Sequence, residues 1–89
     1  KHKFYFFNVP APVYDAKYTV ELNSKRNSCI NLFNTELKKV LERYQVNLID
    51  VYKHTISSDG FSNNIYHCDK RHLDQRILVK IQKEIDMEN

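Results

Sequence analysis

The run Asp69-Lys70-Arg71-His72-Leu73 places an aspartate three residues before a histidine. That spacing lets a carboxylate reach an imidazole nitrogen, where it selects the ring tautomer and offsets the charge formed when the ring takes a proton from a hydroxyl nucleophile. Asp69 and His72 are therefore the candidate catalytic acid and base, two members of a Ser-His-Asp triad. The same residues also fit a plainer role, with Asp69 capping the last helix and His72 exposed in its first turn. Ser24, Ser28, Ser57, Ser58 and Ser62 lack the strand-to-helix turn that exposes and activates a nucleophile, and read as caps and turn residues.

Other reactive side chains point to less. His54, His67, Cys68 and His72 are acceptable zinc ligands in one stretch. Adjacent His67 and Cys68 cannot easily share an ion, however, and the interval to His72 is neither a helical i,i+4 pair nor a zinc-finger spacing, so no metal is expected. Cys29 and Cys68 are far apart without C-x-x-C spacing and read as small hydrophobes. The only glycine is Gly60, where average usage would supply about six. That excludes the glycine-rich nucleotide loops and the G-x-S-x-G elbow, and no cofactor is expected.

Eighty-nine residues with 42% hydrophobic and 28% charged side chains describe one small folded segment, 1–89, rather than a disordered or membrane chain. Fourteen Lys and Arg against eleven Asp and Glu give a net charge of +3. Lys1, Lys3, Lys17, Lys25, Arg26, Lys70 and Arg71 are dispersed and balanced by acids, which describes a mixed solvated surface and no nucleic-acid partner. No apolar run approaches the roughly 20 residues of a membrane span, and no signal peptide is read. The chain begins on Lys1 rather than methionine, which leaves room for a targeting segment upstream, and its compartment is open.

The elements that must position Asp69 and His72 follow from apolar spacing. Lys3 to Val9 is an aromatic run without alternation, the pattern of a strand buried on both faces, and Pro10 and Pro12 end it. Ala11 to Asn23 reads as an irregular loop long enough for a binding site. From about Ser24 to Tyr44, Ile30, Phe33, Leu37, Val40, Leu41 and Tyr44 recur at helical spacing and predict one buried helix face. Val46 to Tyr52 reads as a second buried strand, so strand, helix and strand imply a parallel crossover. A loop of about sixteen residues carrying the Asp59-Gly60 turn signal follows, then an amphipathic helix from Leu73 to about Ile85. Parallel strands send the Pro10 to Asn23 and Lys53 to Cys68 loops out of the same side of the sheet. Two such apolar strands with two helices leave open edges and uncovered faces, which predicts that the segment belongs to a larger sheet.

This order, with a buried strand ending in N-V-P-A-P, a helix, the strand L-I-D-V-Y, a loop and then D-x-x-H-L, resembles the C-terminal half of an SGNH (GDSL-type) hydrolase over nearly the whole chain. The resemblance implies a three-layer α/β/α, flavodoxin-like fold with parallel strands in β-α-β-loop-α order. It implies that Asp69 is the triad acid and His72 the general base, with Leu73 seating the helix that follows. The family's nucleophilic serine and its oxyanion glycine and asparagine precede the matched region, so the partner it implies is the upstream remainder of the same domain. Its implied substrate is an ester, such as an acyl group on a carbohydrate or lipid. This chain alone would then be inactive. The reading from another class is a small non-catalytic α/β module that docks through its open sheet edge.

Overall fold

The computed structural model describes residues 4–88, so Lys1 and Lys3, and with Lys3 the start of the first expected strand, lie outside the described residues. The fold is α/β. Strand β1 (Tyr5–Phe7) is followed by helix α1 (Val20–Arg43), strand β2 (Asn47–Ile49), the short helix α2 (Val51–Thr55) and helix α3 (Ile77–Glu88). The two strands pair in parallel, Tyr5 with Asn47, Phe6 with Leu48 and Phe7 with Ile49. Both therefore deliver their following loops to one end of the sheet. Among the described residues, no helix is long and apolar enough to cross a membrane.

Several boundaries differ from the sequence expectation for local reasons. Helix α1 begins at Val20 rather than near Ser24, because the Thr19 hydroxyl accepts the Leu22 N–H at 3.1 Å and caps it there. Strand β2 stops at Ile49 and does not reach Tyr52. Asp50 turns the chain by accepting the Lys53 N–H at 3.0 Å, and so opens α2. The last helix starts at Ile77, not Leu73. Leu73 forms an isolated antiparallel bridge with His67, which holds it in extended backbone.

The core is small: Ile49, Val51, Ile77 and Ile81, with Tyr5, Tyr66, Leu73 and Ile85 packed against it. The ion pair of Lys53 with Glu84, whose carboxylate also lies 3.5 Å from His54 Nε2, adds a polar tie between α2 and α3. The expected burial of β1 on both faces does not occur. Phe6 and Phe7 are more than half exposed, as is Phe4 beside them. The apolar stripe expected on α1 is also largely uncovered, since Phe33, Val40 and Tyr44 are exposed and Leu41 alone of the six is buried. The inward face instead runs through Asn23, Ile30, Asn34, Leu37 and Leu41, a stripe at helical spacing that includes amides.

Those amides hold the segment that follows β1. Asn34 accepts the Val9 N–H at 2.9 Å and donates to the Val9 carbonyl at 2.8 Å. Asn23, fully buried, accepts the Asp15 N–H at 3.0 Å and donates to the carbonyls of Asp15 and Thr19. Thr55, also fully buried, accepts the Ala11 N–H at 2.8 Å. An irregular segment can be buried only if its backbone groups find such partners, and here side chains from α1 and α2 supply them.

Candidate active site

Both candidate residues sit on the loop between α2 and α3. The Cys68 N–H donates to the His72 carbonyl at 2.9 Å, and the bridge between His67 and Leu73 closes the stretch between them into a short hairpin. Asp69 folds the tip. Its Oδ1 accepts the backbone N–H groups of Arg71 at 2.7 Å and His72 at 2.8 Å, an Asx turn. The same carboxylate meets the His72 ring, with Nδ1 2.9 Å from Oδ2 and 3.0 Å from Oδ1. Asp69 does not cap α3, which begins downstream at Ile77.

The Arg71 N–H, the His72 ring and the His72 N–H, in that order, hold the Asp69 carboxyl down at about 2. It is thus an anion at any ordinary pH and accepts from Nδ1, which fixes the tautomer of neutral His72 with its proton on Nδ1. The free lone pair is then on Nε2, which makes no hydrogen bond among the described residues. The pair is open to solvent, with 73% of the His72 side chain and 56% of that of Asp69 exposed. A ring held at one nitrogen and open at the other can exchange a proton with a molecule that approaches it.

Beside the pair lies an open cleft of about 480 Å³ whose opposite wall is Asp15, Lys17 and Tyr18, from the segment after β1. Lys70 spans it to Asp15 at 3.1 Å, and Arg71 donates to the Tyr18 hydroxyl at 3.3 Å. The Lys17 N–H and Lys70 keep the Asp15 carboxyl below its usual range. Further contacts join the two loops, with the Ser62 N–H on the Pro12 carbonyl at 2.8 Å and Tyr14 edge-on to Phe61 at 5.3 Å. The expectation that both loops lie at one end of the sheet is met. The participation of Asp15, Lys17 and Tyr18 was not legible. Asp15 and Lys70 are 55 residues apart, and no local spacing signals such a meeting.

The remaining reactive side chains are placed as follows. Ser62 is buried, accepts the Asn64 N–H at 3.0 Å and lies 2.7 Å from His67 Nδ1. This serine–histidine contact, which sequence spacing did not single out, locks the loop from within and presents no hydroxyl to a substrate. Burial lowers the His67 pKa below its usual value, against the opposing pull of Asp69 and Asp74. Ser57 bonds Asp59 at 2.7 Å in the turn that contains Gly60 at φ +88°, as its turn signal predicted. Ser24 and Ser28 lie on exposed positions of α1. Cys29 and Cys68 are free and exposed rather than buried. Among the described residues, no three or more of His, Cys, Asp and Glu are gathered to hold a metal ion.

Compared with known proteins, the chain matches no family model, no curated protein and no solved structure.

Proposed function

We propose that this chain is the C-terminal portion of an SGNH-type serine esterase or acyl hydrolase and supplies the Asp and His of its triad. The observation that carries the reading is the bond between Asp69 and His72 Nδ1. Within the completed three-layer α/β/α domain, Nε2 of His72 takes the proton of an upstream serine hydroxyl as its oxygen attacks the ester carbonyl. The ring then returns that proton to the departing alcohol, leaving an acyl-serine. Water then attacks the acyl carbonyl as it gives a proton to Nε2, and the ring passes that proton to the departing serine oxygen, which releases the acid and regenerates the serine and the neutral ring. Asp69 stays ionised throughout and offsets the charge on the ring. Donors for the developing oxyanion come from the upstream part of the domain.

The exposed aromatic strand supports the larger sheet. Phe4, Phe6 and Phe7 beside a sheet of two strands are what further strands and a covering helix would bury. The same exposed strand would also serve a small non-catalytic interaction module, and kinetics separates the two. In the intact protein that carries this segment, His72→Ala lowers kcat for 4-nitrophenyl acetate by about 10³-fold or more, and Asp69→Asn lowers it comparably. The melting temperature changes little, because His72 is largely exposed and the amide oxygen in Asp69→Asn can still accept the N–H groups of the turn. Unchanged hydrolysis by His72→Ala would overturn the reading and leave the docking module.

A further inference from the structure

The cleft beside His72 carries more positive charge than its own carboxylates use. Asp15 is engaged by Lys70 and by the Lys17 N–H, and Asp69 by its own turn and the His72 ring. Among the described residues, the Arg71 guanidinium has the Tyr18 hydroxyl as its only acceptor, at 3.3 Å. Arg26 lies over the ring of the same tyrosine, 5.1 Å from its centroid, and among the described residues the one hydrogen bond of its side chain is a long 3.5 Å contact with Asn23. Two guanidinium groups thus gather around Tyr18 without a carboxylate partner among the described residues. Arg71 and Lys70 also line the adjoining cleft that contains Arg26, so the positive surface is continuous. A guanidinium is a planar fork suited to an oxyanion, and two near each other repel unless an anion joins them.

We propose that Arg71, backed by Arg26, forms a subsite for an anionic group on the alcohol portion of the ester substrate. The inference rests on the hydrolase reading above. In that chemistry, the base that deprotonates the serine also protonates the leaving oxygen, so the alcohol portion departs past His72. Groups flanking His72 therefore meet the alcohol and not the acyl chain. The substrate class is an acyl ester of an alcohol that also bears a carboxylate, phosphate or sulfate.

The test compares 4-acetoxybenzoate with its neutral counterpart methyl 4-acetoxybenzoate in the intact protein, as the ratio of their kcat/KM values. Between wild type and Arg71→Gln, intrinsic reactivity differences cancel. The ratio is expected to fall about tenfold in Arg71→Gln and less in Arg71→Lys, and to shrink in wild type at high salt. Arg71 is exposed, so loss of folding is not expected to confuse the result. A ratio unmoved by Arg71→Gln would overturn the subsite while leaving the hydrolase intact. A second arm titrates 4-acetamidobenzoate, which has no ester, into the His72→Ala protein by calorimetry. Arg71-dependent binding of this probe supports the subsite even if neither ester is hydrolysed, an outcome that would sink the hydrolase reading alone. Binding unaffected by Arg71→Gln would count against the subsite independently of turnover.

Discussion

The two loops at the carboxyl end of the sheet are held in opposite ways. The segment after β1 is buried and its backbone is bonded by neutral side chains from elsewhere in the chain, namely Asn23 and Asn34 of α1 and Thr55 of α2. The loop between α2 and α3 is more exposed and bonds itself. Asp59, Asp69 and Asp74 each accept the N–H two residues ahead, from Phe61, Arg71 and Arg76. One loop is a wall fixed mainly by long-range amides, with a single Asx turn of its own at Asp15, and the other is a series of Asx turns fixed by local charge. The comparison assigns them different parts. The wall sets the cleft, while the self-bonded loop presents the one histidine among the described residues whose ring is held by a carboxylate and open to solvent.

Removing an anchor of the buried wall has the largest expected effect on stability. Asn23→Ala leaves the Asp15 N–H and the carbonyls of Asp15 and Thr19 without their side-chain partner inside the fold. It should lower unfolding free energy by about 2 to 3 kcal/mol, measured by denaturant melting. A loss near zero would mean that water replaces the amide and that the wall is not held as described.

Acid should act mainly on the other loop, with a smaller effect, since the wall holds one depressed carboxyl, Asp15, against three there. The Asp59, Asp69 and Asp74 carboxyls are all held below the usual range, each by hydrogen bonds within its own turn. A depressed carboxyl contributes stability in full above its unfolded value and loses it as pH falls through the folded one. For Asp69 that window runs from 3.8 down to about 2. Carboxyl-carbon NMR should place its midpoint at about 2, and the amide of Arg71 should lose protection over the same range. The amides of Val9 and Ala11, which are bonded to Asn34 and Thr55, should stay protected wherever the chain remains folded. A midpoint for Asp69 at 3.8 would remove the distinction between the loops.

The contrast also explains what could be read in advance. The contact of Asp69 with His72 is local, so a spacing of three residues reveals it. The turn at Gly60 and the parallel pairing of the strands are legible for the same reason, since turn chemistry and element order are local signals. Periodicity counts apolar residues and so points to the wrong face of α1, whose inward face includes Asn23 and Asn34 to satisfy a buried loop. The apolar pattern of Val51 and Tyr52 extends the expected strand through Asp50, whose carboxylate in fact opens α2. The opposite wall of the cleft, with Asp15, Lys17 and Tyr18, depends on tertiary contacts that no local window contains.

The central claim is that Asp69 and His72 act as one catalytic unit, and a double-mutant cycle tests it most directly. The quantity is kcat/KM for 4-nitrophenyl acetate in the intact protein, for wild type, Asp69→Asn, His72→Ala and the double variant. An aspartate that works only through the ring has nothing left to contribute once the ring is gone. The double variant should therefore be no slower than His72→Ala alone. Independent, multiplying losses, or a His72→Ala protein as fast as wild type, would contradict the account.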